Sequence, residues 1–133
     1  MCGQQVHLPS DLQVTDQFRA PLCQWCSGNR GIEYRTIIGS TVVSVADGVA
    51  SFVGVVAGTH YVVIKTSSNV LVTHGRMASV SVKSGAWVTT GQPLGVAGES
   101  LYIGVRVSGQ YIDPRQCSGL GSAFKPRAVL VAG

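Results

Sequence analysis

Between residues 85 and 114 the chain reads GAWVTTGQPLGVAGESLYIGVRVSGQYIDP, short apolar runs punctuated by glycine that end in strict alternation. Strand side chains point to opposite faces in turn. Leu101, Ile103, Val105 and Val107 therefore fall on one side, and Ser100, Tyr102, Gly104 and Arg106 on the other. A period of two is a strand signal and not a helix signal. Seventeen glycines, with many valines and threonines, extend the same preference for strands and tight turns along the chain. Further strand-like runs lie at 39–46, 48–54, 60–65 and 70–74. Asp47-Gly48 separates the first two and predicts a hairpin, and Ser67-Ser68-Asn69 supplies a turn before the last. The expected fold is all-β, a β-sandwich or barrel-sandwich hybrid of short antiparallel strands with glycine turns.

A length of 133 residues gives one domain able to bury a core. The expected organisation is an N-terminal arm over 1–22, a main unit over 23–116 and a tail over 117–133. Residues 128–131 of that tail could add an edge strand. Charged residues are 12% of the chain, against a usual figure of about 25%. The net charge of +4 is a mild bias towards anionic partners. Basic residues are not interleaved with aromatics in a run, so nucleic-acid binding is not expected. No apolar stretch approaches the roughly 18 residues of a membrane span. The first twenty residues lack the charged start and apolar middle of a signal peptide. Two readings follow: a cytoplasmic protein, or a sequence that starts after an export signal, for which Cys2-Gly3 would suit the start of a mature lipoprotein.

Cys23-Gln24-Trp25-Cys26 is a lone CxxC. A structural disulfide within the pair or to Cys117, free thiols, and a metal site all stay open. Zinc would need further ligands from Cys2, Cys117, His7, His60 or His74. A redox motif of the thioredoxin kind belongs between a strand and a helix, and no helix is visible nearby.

Together, residues 29–114 resemble the LytM/lysostaphin-type zinc endopeptidases, which cut peptide cross-links in bacterial cell walls. The resemblance rests on GSTVVSVADGVASFV, on the GAWVTTGQPLG segment and on the closing VRVSGQYIDP with its Asp113-Pro114 stop. It implies the duplicated hybrid motif of that family. The GAWVTTGQPLG pattern also occurs in biotinyl and lipoyl carrier domains, but those need a lysine on an exposed hairpin tip, and none stands there.

The family's chemistry does not carry over with its scaffold. Its His-x-Gly-x-Asp ligand motif reads Asn29-Arg30-Gly31-Ile32-Glu33, and its His-x-His reads Ser100-Leu101-Tyr102. Of three zinc-ligand positions (Asn29, Glu33 and Tyr102) only Glu33 keeps a carboxylate, and amides are poor zinc ligands. His74 stands at the strand-end histidine that assists catalysis in the family. The resemblance thus implies a catalytically inactive homologue without a cofactor, although zinc belongs to the family. It would act as a binding module of the bacterial envelope, with a cleft of Asn29, Glu33, His74, Ser100, Tyr102 and Arg106. Peptidoglycan or a cell-envelope protein would be the partner, in the envelope or secreted. The alternatives are a divergent active metalloendopeptidase using Glu33 and His74 with a cysteine, and a purely structural role.

Overall fold

The computed structural model describes residue 2 and residues 5–118. The described residues form nine strands: β1 Val14–Asp16, β2 Gly31–Arg35, β3 Thr41–Val43, β4 Gly48–Val56, β5 Thr59–Lys65, β6 Leu71–Val80, β7 Trp87–Val88, β8 Pro93–Val107 and β9 Gln110–Ile112. A short 3₁₀ turn, Pro114–Cys117, follows, started by Asp113, whose side chain accepts from the Arg115 N–H. The strands join in one antiparallel sheet in the order β1-β2-β8-β6-β5-β4-β7, with β3 and β9 also paired to β8. The all-β expectation therefore holds.

Two local expectations need correction. The glycines at 95, 98 and 104 do not break the chain into short strands, because β8 runs through all three for 15 residues. Gly95 passes so close to the Ser79 carbonyl of β6 that a side chain there would collide with it, so the glycine serves strand contact. Nor does Asp47-Gly48 make a hairpin: β3 pairs with β8, and β4 pairs with β5 and β7. The Asp47 carboxylate instead accepts from the Thr90 N–H at 2.6 Å, tying this loop to the one after β7. The two-residue hairpin turns are Ala57-Gly58 and Ser108-Gly109, each with positive φ at both residues.

The alternation in β8 sorts as its sequence predicts. Leu101, Ile103 and Val105 are buried, and they pack with Ile32, Tyr34, Val62, Ile64 and Val72 in one core. Burying each such side chain is worth about 1.5–3 kcal/mol, which fixes the register, since a one-residue slip would invert both faces. The N-terminal segment is built into this core. Cys2 and Val6 are fully buried, β1 extends the sheet beside β2, and the Val6 N–H donates to the Cys117 carbonyl at 3.0 Å.

All four cysteines are paired. Cys23 bonds to Cys26, and Cys117 bonds to Cys2. The metal and free-thiol readings of the CxxC are thereby excluded, and the Cys2 sulfur, held in the core, is not available for a lipid. The edge strand expected over 128–131 lies outside the described residues.

Candidate functional site

The face of the sheet opposite the core carries a cleft of about 370 Å³. Its floor follows from register. Tyr61 of β5 stands opposite Gly75 of β6, Gly75 opposite Tyr102 of β8, and Tyr102 opposite Glu33 of β2. Directly opposed residues share a face, so these four form one row across four strands. The neighbouring row, Val62, His74, Ile103 and Ile32, faces the core.

Glycines let the aromatic rings lie flat on this floor. A Cβ on Gly31 would fall 2.7 Å from the Tyr102 ring, and one on Gly104 would fall 2.6 Å from its hydroxyl. A Cβ on Gly75 would come 2.7 Å from the Tyr61 ring. The Tyr102 ring thus covers Gly104 of its own strand and Gly31 of β2, and on the other side a Cβ on Gly75 of β6 would lie 3.3 Å from it. Burial pushes its phenol well above the ordinary range, and the nearby Tyr111 and Glu33 add to the shift.

Beside the ring, Arg76 Nε lies 2.9 Å from Glu33 Oε1. Arg76 reaches the cleft because β6 bulges there: pairing passes from Gly75 directly to Met77 on both sides, and Arg76 takes φ 63°. A non-glycine residue at such a φ is held against its own preference, a kind of strain that collects at functional sites. Asn29 closes the far end. Its Nδ2 donates to the Gln17 carbonyl at 2.9 Å and its Oδ1 accepts from the Gly31 N–H at 3.3 Å, joining the N-terminal segment to β2. Asp16 also lines the cleft and is ion-paired to Arg19.

Of the residues expected here, Asn29, Glu33 and Tyr102 come together in the cleft. Ser100 shares their face but pairs with Arg35, one step along from the Glu33–Tyr102 row. Arg106 lies on the same face in an adjoining groove. His74 does not belong to the cleft. It is fully buried on the core side, where Nε2 accepts from the Val45 N–H at 3.1 Å and Nδ1 has no partner among the described residues. Burial lowers its pKa to about 4, against a smaller opposing pull from the Val62 and Val72 backbone. Its neutral ring anchors the loop after β3.

Arg76, Arg30 and Tyr61 line the cleft without having been expected there. Tyr61 could have been found by extending the β5–β6 pairing outward. Arg76 could not, because only the bulge separates its face from that of His74 two residues earlier.

These residues do not fit zinc. The Asn29 amide is spent on backbone partners, Glu33 already faces a guanidinium, and Tyr102 offers a protonated phenol. Among the described residues no group of three or more His, Cys, Asp or Glu is placed to hold a metal ion.

The comparisons with known proteins agree with the fold. Among solved structures, the chain is similar to a mutant catalytic domain of the prophage-encoded M23 protein EnpA from Enterococcus faecalis, with TM-score 0.69 and 22% identity over 84% of this chain and 95% of that one. It is similar to Helicobacter pylori Csd3, with TM-score 0.75 and 24% identity over 87% of this chain and 33% of that one. A chain of the SpoIIQ–SpoIIIAH pore-forming complex matches with TM-score 0.71 and 15% identity, over 86% of this chain and 91% of that one. At these identities the likeness is one of fold. No curated protein matches. The family model described as Peptidase family M23 matches residues 27–114, from the disulfide loop through the cleft to the 3₁₀ turn. On that match the chain belongs to peptidase family M23, the family of the LytM and lysostaphin type.

Proposed function

We propose that this chain is a non-catalytic member of its family, a binding module of the bacterial cell envelope whose cleft receives an extended peptide. The observation that carries this reading is the Arg76–Glu33 pair at 2.9 Å, which gives the one carboxylate at a zinc-ligand position a cation from the chain itself. Tyr102, at another of those positions, provides an aromatic surface where the family has imidazole. A tyrosine face beside a guanidinium suits stacking and carboxylate pairing. The ligand is wall peptide or a partner protein of the envelope. The second source is supported by the similar chain whose structure was solved in the SpoIIQ–SpoIIIAH complex. Four cysteines held in two disulfides fit an oxidising compartment such as the envelope. No helix among the described residues is long and apolar enough to cross a membrane.

The test pairs metal stoichiometry with retention on purified walls. After dialysis against buffered micromolar zinc, the chain is expected to hold none. Walls, or failing them an envelope protein, are expected to retain it, with Tyr102→Ala and Arg76→Ala each weakening retention about tenfold, or about 1.4 kcal/mol. One zinc per chain together with chelator-sensitive cleavage of wall peptides would overturn the proposal in favour of a divergent metalloendopeptidase.

A further inference from the structure

A second groove, of about 730 Å³, adjoins the cleft, and Arg30 lines both. Its walls are Cys23 and Gln24 of the disulfide loop, Arg30, Arg106, and Gln110 and Tyr111 of β9. The charge is one-sided. The ion pairs among the described residues are Arg19 with Asp16, Arg76 with Glu33, and Arg115 with Asp113. Among the described residues, neither Arg30 nor Arg106 is therefore matched to a carboxylate, and no acid lines the groove. In a chain with 12% charged residues, two guanidiniums left unneutralised in one concavity make a local field that favours an anion.

Both cations are held in place without being neutralised. The Arg106 guanidinium carbon lies 5.7 Å from the Tyr111 ring centre, a cation–π contact. Arg30 Nη2 donates to the Gln24 carbonyl at 2.8 Å. Gln24 sits inside the ring closed by Cys23 and Cys26, so the disulfide fixes the carbonyl that orients Arg30. Outside the groove's lining, the same loop presents Leu22 and Trp25, 97% and 87% exposed, as apolar surface beside it. Cations positioned by these contacts lower the ordering cost of binding.

We propose that this groove binds a carboxylate-bearing extended peptide, with Arg30 and Arg106 gripping the carboxylate and Leu22 and Trp25 taking its apolar side chains. Planar guanidinium matches carboxylate in a two-point contact, and the Gln24 and Gln110 amides suit peptide N–H and C=O groups. Two cations without a repeating stripe suit a peptide better than a phosphate polymer. The proposal rests on the binding-module reading and adds the ligand's chemistry and the residues that select it.

Calorimetric titration of the intact, oxidised chain tests it with three acetylated probes. These are amidated tetraglutamate, tetra-alanine with a free C-terminus, and amidated tetraglutamine. At least one carboxylate probe is expected to bind about tenfold tighter than tetraglutamine, and which one does identifies side-chain or terminal carboxylate as the source. Arg30→Gln with Arg106→Gln should abolish that preference at an unchanged thermal midpoint. Cys23→Ala with Cys26→Ala should weaken it several-fold. Equal binding of tetraglutamine, no binding of either acidic probe, or an unchanged preference in the arginine double variant would overturn the proposal. Wall retention in the same variants separates the two readings. Retention lost with Tyr102→Ala but kept in the arginine double variant rejects this groove and leaves the cleft; retention unaffected by either rejects the cleft.

Discussion

His74 shows how one side chain changes meaning with the face it occupies. On the cleft side it would be a base beside substrate; on the core side it is a neutral acceptor for the Val45 N–H. Its pKa falls from 6.5 to about 4 because burial penalises the charged ring. Above pH 6.5 both folded and unfolded chains carry it neutral, and the full stability is present. Between pH 6.5 and 4 the unfolded chain takes up the proton and the fold does not. Stability then drops as pH falls, by about 3 kcal/mol for a shift of this size, and levels off below. The carboxylates with resolved shifts, Asp16, Asp47 and Asp113, all lie below their ordinary 3.8, so they titrate beneath this window. Urea midpoints at pH 7 and pH 4.5 should therefore differ clearly in the native chain and much less in His74→Gln, which keeps an acceptor but does not titrate. A native midpoint that stays flat across that range would contradict the buried, neutral assignment.

At the level of elements, the cleft depends on where strands approach one another without side chains. A Cβ on Gly31 would strike the Ile103 carbonyl, a backbone atom of the paired strand, as well as the Tyr102 ring. At Gly104 the three nearest atoms all belong to the Tyr102 side chain. The two glycines stand opposite each other, yet their alanine variants should behave differently. Gly31→Ala should force β2 away from β8 and cost about 2–4 kcal/mol, with no relief from a second Tyr102→Ala change. Gly104→Ala should cost less, and in a Tyr102→Ala background close to nothing. A double-mutant cycle by chemical denaturation reads both, and additive losses at Gly104 would show that the ring does not rest there.

The same elements mark what the sequence could reveal. The two faces of β8 were legible because its alternation is strict over Leu101, Ile103, Val105 and Val107. The family's scaffold was legible because its glycine and valine spacing survives. The face of His74 was not, since Val70-Leu71-Val72 is apolar throughout and gives no parity to count from. The bulge at Arg76 then shifts the count again. Asn29, Glu33 and Tyr102 could be placed by resemblance alone, but the guanidinium that pairs with Glu33 arrives through backbone geometry that no spacing encodes.

Across the whole molecule, the two disulfides do different work. Cys2 and Cys117 are 115 residues apart and fully buried, and their bond joins the beginning of the described chain to its last turn. Cys23 and Cys26 are three apart in a loop whose first cysteine is exposed. Loop-closure entropy assigns about 5 kcal/mol to the long loop and roughly 2 kcal/mol to the short one. The long crosslink also holds the N-terminal segment whose Gln17 carbonyl receives the Asn29 amide, so it supports one end of the cleft from a distance. Cys2→Ala with Cys117→Ala should lower the thermal midpoint by about 15 °C, and Cys23→Ala with Cys26→Ala by about 6 °C or less. The ordering matters more than the sizes. If the short pair proved the more stabilising, its loop would be carrying part of the fold. If the long pair dominates and only the short pair weakens acidic-peptide binding, stability and recognition are assigned to separate crosslinks of one small domain.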